Sequence, residues 1–455
     1  MTRIALPRRA LLLAALAFLG LPALATASAG PAGPEVAGVP VDFVLFGLTL
    51  IGVALFHHRT LQVAATGLAV ISVYKILFTG FAGGPGVGGL LLHFRHEWVV
   101  VVNLFCLLVG FALLADHFER SEVPKALPRF LPDDWKGAFA LLAMVFVLSA
   151  FLDNIAAALI GGAMAHTVFR GRVHIGYLAA IVACANAGGA GSVVGDTTTT
   201  MMWISGVSPL AVLHAFLAAA VALIVCGIPA SRQQHRHSPI LKDEVRGTHL
   251  DWGRVAVVGV ILAAAVSVNV YVNLNLGERA EAFPYIGVAV WVALIAMIPL
   301  RKPTWSLVPA AVRGSLFLLC LVLSATMMPV ERLPAASWPT ALGLGFLSSI
   351  FDNIPLTALA LKQGGYDWGV LAYAVGYGGS MIWFGSSAGV AISNMYPEAK
   401  SVGLWLRQGW HVTVAYIAGF FVLIALLGWH PTPKRGGAPV HGEMAAGASA
   451  LAVID

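Results

Sequence analysis

The sequence predicts an all-α polytopic membrane protein organised as an inverted repeat, with about ten transmembrane helices and two re-entrant hairpins. Three observations predict it. Of 455 residues, 59% are hydrophobic and only 11% charged, with a mean hydropathy of +0.85, which excludes a water-soluble globule of ordinary composition. The string SAFLDNIA at 149–156 returns as SSIFDNIP at 348–355, so Asp-Asn-Ile recurs in register 199 positions apart, each time inside a long apolar run. Downstream of the first copy, Gly188 and Gly189 precede Gly195-Asp196-Thr197; downstream of the second, Gly378 and Gly379 precede Gly385-Ser386-Ser387 at the same spacing. An acid in a hydrocarbon-length apolar segment costs several kcal/mol unless it faces an interior or an aqueous cavity. The same costly feature found twice points to a site at a repeat interface.

Taken in order, Arg3, Arg8 and Arg9 precede a short apolar run from Ala10 to Leu24 and then small residues, which reads as a signal peptide over 1–29. An uncleaved first anchor is the alternative, although the run is short for a span. Apolar segments follow at 41–56, 61–81 and 98–116, then a motif-bearing region at 138–169, then 175–207 and 209–229. The Pro/Gly-rich stretch at 82–90 reads as a loop. A basic linker over 230–253, assigned to the cytoplasm, divides this first repeat (41–229) from the second (254–428). The second half gives segments at 254–275, 285–299 and 306–328, a motif region at 340–362, then 369–395 and 404–428, with a tail from 429 to 455.

If 138–169 and 340–362 are hairpins that enter and leave by one face, each half crosses the membrane five times, and an odd number inverts the second half. With the N-terminus outside, sixteen Lys and Arg then fall on inner loops, among them Arg120, Lys136, Arg170, Arg232, Arg254 and Arg301. Only six, Arg95, Arg279, Arg332, Lys362, Lys434 and Arg435, fall outside. The bias has the sign of the positive-inside rule, so the formal charge of +6 reads as loop charge and not as a nucleic-acid surface. Cys106, Cys184, Cys226 and Cys320 lie in apolar stretches without CxxC spacing, and no HExxH or phosphate-binding Gly loop occurs.

Pro355 follows Asp352-Asn353-Ile354, and a proline suits the first turn of a helix. A half-helix is therefore expected to begin at each Asp-Asn. Backbone that has lost its helical partners is tolerated at membrane depth only where protein or a water-filled cavity surrounds it. Freed carbonyls, Asn amides and carboxylates are hard oxygen ligands suited to a small alkali cation. A plainer reading, in which Asp153 and Asp352 only cap half-helices, is weakened by their repeat-related placement. The Gly188, Gly189, Gly191 and Gly195 cluster unwinds a second element, which restarts at Asp196 with Thr197, Thr198, Thr199 and Thr200. Small-residue helix packing explains some of these glycines, but not the acid and four threonines. Ser386 replaces that Asp in the second half, so three carboxylates, Asp153, Asp196 and Asp352, are expected to converge. Lys75 and Arg313 lie inside predicted spans, and His166, His214 and His411 lie near the segments that would move.

The strings FLDNIAAALIGG, NAGGAGSVVGDTTTTMMWISG, SSIFDNIPLTALAL and GYGGSMIWFGSSAGVAISN resemble the NhaD-type sodium/proton antiporters, within the ion transporter superfamily that also holds arsenite pumps and sodium-coupled dicarboxylate carriers. The resemblance covers roughly residues 41–428 in organisation. It implies an elevator-type carrier, usually a homodimer; a bacterial-type inner membrane is expected, with the N-terminus outside after signal cleavage. It further implies tip ligands at Asp153, Asn154, Asp352 and Asn353, and broken-helix ligands at Asp196, Thr197, Thr198, Ser386 and Ser387, beside Gly188, Gly189, Gly195, Gly378, Gly379 and Gly385. Sodium or lithium would be transported ligand, bound by Asp153, Asp352 and Asp196 in exchange for protons, with no resident cofactor. The alternative is a sodium-coupled symporter of a carboxylate or oxyanion, for which the threonine run is the one supporting feature. An enzyme lacks a nucleophile and base pair, and a channel is disfavoured by a motif-bearing hairpin on each side.

Overall fold

A computed structural model describes residues 33–36, 38–56, 59–123, 131–193, 195–240, 250–276 and 282–432. The readings for 1–29, for 241–249 of the linker and for 433–455 of the tail lie outside the described residues. The chain is an all-α, multi-pass membrane protein. Its only described strands form a two-residue ribbon, Glu35–Val36 against Val39–Pro40.

The first half runs α1 (Val41–Leu55), α2 (Thr60–Tyr74, continued by a π turn Lys75–Thr79), α3 (Gly86–Glu119), α4 (Trp135–Ser149), α5 (Asn154–Val168), α6 (Ile175–Ala190), α7 (Thr197–Ile204), the short α8 (Leu210–Leu213) and α9 (Ala215–His237). The second half runs α10 (Trp252–Asn275), α11 (Tyr285–Ala296), α12 (Val308–Thr326), α13 (Trp338–Ser348), α14 (Asn353–Gln363), α15 (Trp368–Gly378), α16 (Ser387–Met395), the short α17 (Val402–Gln408) and α18 (Trp410–Leu427). Local chemistry sets many of the starts. Asp134 accepts from Lys136 N (2.9 Å), Asp367 from Val370 N (3.1 Å), and Ser337 with Thr340 forms a capping box.

Several boundaries differ from the sequence expectation. The stretch 82–90 is a loop only to Pro85, and α3 runs for 34 residues where 98–116 was expected. Pro85 is extended and ends the loop, and the glycines after it are carried into a helix whose remaining length supplies the packing that propensity does not. The supposed linker is helical to His237, because Gln234 is held there by Arg172 and Ser238 carbonyls. The predicted segments 209–229 and 404–428 are each interrupted, at His214 and Gly409. Among the described residues, five helical stretches are long and apolar enough to cross a membrane alone: Thr60–Thr79, Gly86–Glu119, Leu210–His237, Trp305–Thr326 and Trp410–Leu427. The expected count near ten included shorter helices such as α1 and α11. Residues 429–432 are not loose, since Trp368 donates to the Thr432 carbonyl (2.7 Å) and His430 N to Asp367 (2.9 Å).

Packing pairs elements at corresponding places in the two halves. α2 lies on α12 and α3 on α11; α4 lies on α6 and α13 on α15. α5 packs against α16, and α14 against α7, so each half's second tip helix meets the other half's restarted helix. Every residue of α6 and of α15 is buried, making these two helices the centre of the molecule. Such close approach needs glycine. A Cβ on Gly188 would fall on the Phe146 carbonyl, and one on Gly378 on the Gly345 carbonyl.

Candidate functional site

Four helix starts meet at the centre, and each is capped by an acid or a hydroxyl. Asp153 accepts from Ile155 N (3.2 Å) at α5, and Asp352 from Ile354 N (3.1 Å) at α14. Asp196 accepts from Thr198 N (3.4 Å) at α7, and Ser386 from Gly389 N (3.2 Å) at α16. A helix start carries roughly half a positive charge. Four of them around one space would repel a cation were it not for the three carboxylates placed there.

Hydroxyls cross-link the tips to the restarted helices in the same way in both halves. Thr197 Oγ1 donates to Asp153 Oδ1 (3.4 Å), and Ser387 Oγ donates to Asp352 Oδ2 (2.9 Å). Below them Ser149 Oγ donates to the Ala185 carbonyl (2.5 Å) and Ser348 Oγ to the Val375 carbonyl (2.7 Å). These bonds tie α4 to α6 and α13 to α15, so the tips are held by buried contacts on rigid helices.

The halves then part company. Asn154 Nδ2 donates to Asn186 Oδ1 (3.0 Å) and to Asp196 Oδ1 (3.2 Å), while Thr198 Oγ1 closes on Asp196 Oδ2 (2.5 Å). Asn186 Nδ2 continues the chain to Ser380 Oγ (2.9 Å) and Ser386 Oγ (3.2 Å), joining the two halves through one amide. Gly376 occupies the place in α15 that Asn186 occupies in α6, and Asp196 lies against it. Asn353, the counterpart of Asn154, is 4% exposed, and its Nδ2 has no hydrogen-bond partner. A buried amide without a partner is uncommon and is a natural place for a ligand or water.

A cavity of about 530 Å³ opens onto this region, with Asp153, Asn154, Asp196, Thr197, Asn353 and Ser387 in its wall. Asp116 and Glu119, at the end of α3, also line it, and among the described residues no Lys or Arg side chain does. Thr198 and Ser386 are buried behind the wall, as support for Asp196 and Asn186. Asp352 is represented at the wall by its neighbour Asn353 and its partner Ser387. Gly188, Gly189, Gly195, Gly378, Gly379 and Gly385 bound the two breaks in α6–α7 and α15–α16.

Asp153, Asp196 and Asp352 are each held at their own helix start by a backbone N–H and a hydroxyl. Among the described residues no three His, Cys, Asp or Glu side chains form a ready-made metal cluster. Sequence reasoning missed Asn186 and Ser380. The available signal was a lone amide in an otherwise apolar, glycine-rich helix. Asp116 and Glu119 were missed because only the packing of α3 brings them to the cavity. Lys75 is buried against Asp42 (3.2 Å), His214 pairs with Asp367 (2.6 Å), and His411 is buried beside Gln233 (3.2 Å). His166 and Arg313 are exposed on α5 and α12.

No family model matches the chain. Two curated proteins of Arabidopsis thaliana are similar to it. Sodium/proton antiporter 1 is 26% identical over 404 residues, covering 77% of this chain and 66% of that protein. Sodium/proton antiporter 2 is 28% identical over 345 residues, covering 65% of this chain and 76% of that protein. The chain thus matches slightly under two thirds of the length of the first relative, and both relatives are named as antiporters, which are transporters and not enzymes.

Proposed function

We propose that the chain is a secondary transporter that exchanges sodium or lithium for protons, of the NhaD type, with its two halves in inverted orientation and its tips and broken helices moving as an elevator, in a homodimer of a bacterial-type inner membrane. The observation that carries the exchange reading is the pairing of a carboxylate with a hydroxyl at each of two tips beside one cavity, Asp153 with Thr197 in its wall and Asp352 behind its partner Ser387. The two named relatives support it.

The chemistry follows from the inventory of oxygens. Each carboxylate has about four acceptor positions. The N–H and hydroxyl donors occupy part of them, so each tip keeps capacity for one more positive species. A cation and a proton neutralise the same carboxylate, and occupancy by one disfavours the other. Each tip carboxylate, with the hydroxyl and unwound backbone oxygens around it, therefore alternates between the two loads, and no separate proton route is required. Asp196, locked by Thr198 and Asn154, acts as a fixed negative charge between the tips. A carboxylate or oxyanion substrate is disfavoured, because among the described residues the cavity wall offers carboxylates and no Lys or Arg.

The test is proton flux in proteoliposomes driven by a sodium gradient alone. Flux without any organic anion is expected, and Asp153→Asn and Asp352→Asn are each expected to abolish it while the purified protein stays monodisperse. Retained exchange in both single variants would exclude the assignment.

A further inference from the structure

The basic residues at the helix ends are not engaged alike. At the end of α3, the start of α10 and the segment after α11 they have acidic partners: Arg120 holds Asp116 (2.8 Å), Arg254 meets Asp251 (3.5 Å) and Arg301 holds Asp251 (2.8 Å). Around the end of α9 they do not. Arg172, Arg232 and Arg236 are exposed, and among the described residues no carboxylate pairs with any of them.

Contacts bring these three to one place. Gln234, inside α9, donates to the Arg172 carbonyl (3.0 Å) and accepts from His174 N (2.7 Å), and the His174 and His237 rings meet edge-on with centroids 5.5 Å apart. Arg232 and Arg236 are four positions apart and so lie one turn apart on one face of α9. The Arg232 guanidinium lies over the ring of Trp135, 4.9 Å from its centroid, in the first turn of α4. The chain leaving α9 folds back on the same elements: Ser238 Oγ donates to the Phe169 carbonyl (3.5 Å), and a Cβ on Gly137 would press on Ile240. The start of α4, the end of α5 and the end of α9 therefore lie at one level.

That level is a membrane surface. Leu210–His237 has 28 residues, about 42 Å of helix, which matches a bilayer with its headgroup layers. The last turns of α9, where the two arginines stand, thus end among headgroups. Trp135 is half-buried, and tryptophan is enriched at that depth. Stacking on its ring holds the Arg232 guanidinium flat with its N–H edge free, and that edge matches two oxygens of one phosphate.

A plainer reading is that basic residues favour a helix C-terminus. It covers Arg236 but neither Arg172, on a different segment, nor the stack on Trp135. Asp133 and Asp134 lie at the edge of the patch, where Asp134 accepts from Lys136 N (2.9 Å) and Lys136 itself adds an exposed cation.

We propose that Arg172, Arg232 and Arg236, with Trp135, form a binding site for the phosphate headgroup of an anionic phospholipid, at the membrane face where the α4–α5 pair begins and ends. The site goes beyond the exchange reading and does not depend on which ion is carried. A lipid held there touches α4, α9 and the segment between α5 and α6, and so ties the supports of the first tip to the surrounding leaflet.

The test follows unfolding of the full chain in phosphatidylcholine nanodiscs with increasing phosphatidylglycerol. A saturable rise in unfolding temperature is expected. Each cation near an anionic surface contributes about fivefold to partitioning, so changing Arg172, Arg232 and Arg236 together to Gln is expected to weaken binding by on the order of a hundredfold and to remove the rise. If that variant is not monodisperse, Arg232→Gln with Arg236→Gln, both on the exposed face of α9, gives the same reading. A control with equal charge loss elsewhere, Arg59→Gln with Lys302→Gln and Arg407→Gln, is expected to keep the rise, and Trp135→Leu to weaken it. Soluble glycerol phosphate is expected to reproduce none of it. No effect of phosphatidylglycerol, a rise that survives the arginine changes, an equal loss in the control, or a full effect of glycerol phosphate would each overturn the proposal.

Discussion

At the scale of residues, the site's asymmetry is more informative than its repetition. Asn154 is locked by Asn186 and Asp196, while Asn353 in the other half has a buried, unpartnered amide nitrogen. Removing a side chain that satisfies buried polar groups leaves them unpaired, at a cost of about 1–3 kcal/mol. Asn154→Ala and Asn186→Ala are therefore expected to lower the thermal unfolding temperature in detergent. Asn353→Ala, which strands no protein partner at its Nδ2, is expected to leave that temperature nearly unchanged and instead to raise the sodium concentration giving half-maximal flux. The amide's two ends are interchangeable by a flip, so the oxygen of Asn353 is available to a cation, whereas Asn154's orientation is dictated by two acceptors.

At the scale of elements, close contacts and buried pairs hold the breaks in place. Gly188 and Gly378 touch the backbone of α4 and α13, so an added methyl must push two fully packed helices apart. Overpacking of that kind costs about 1–3 kcal/mol, and Gly188→Ala or Gly378→Ala is expected to destabilise the fold and slow exchange together, as read by unfolding and flux on the same preparation. The Lys75–Asp42 pair joins α1 to the π turn after α2 in a buried setting. Breaking it with Lys75→Met leaves Asp42 charged and unpaired, a loss of about 3–5 kcal/mol. The double variant with Asp42→Asn is expected to recover most of that loss in the same melt. On the surface, Arg301 grips Asp251 with bonds of 2.8 and 3.1 Å. The guanidinium holds that carboxyl below its ordinary value. A depressed carboxyl contributes stability above its unfolded value, about 3.9, and loses it as pH falls through the lower folded value. Arg301→Gln and the unsubstituted chain are accordingly expected to differ slightly in unfolding at pH 7, less in high salt, and to converge well below pH 4.

At the scale of the whole molecule, a cation bound among helix starts from both halves, as the proposed exchange requires, would couple loading to stability. Sodium at 100 times its dissociation constant would add about 2.7 kcal/mol. That rise in unfolding temperature is expected in neutral buffer and should shrink as protons occupy the same carboxylates at lower pH. A sodium effect independent of pH would show that the two loads do not share a group. Composition and the duplicated strings by themselves determined a helical membrane protein, the location of four breaks, and acids or hydroxyls at each restart, because those features are written in short stretches of adjacent residues. The tertiary structure alone decided that Asn186 would reach Ser380 and Ser386 in the other half, that Asp196 would lean on Gly376, and that α3 would bring Asp116 and Glu119 to the cavity. Those contacts join residues up to two hundred positions apart across buried helix faces. Their existence depends on how whole helices stack, which no local spacing encodes.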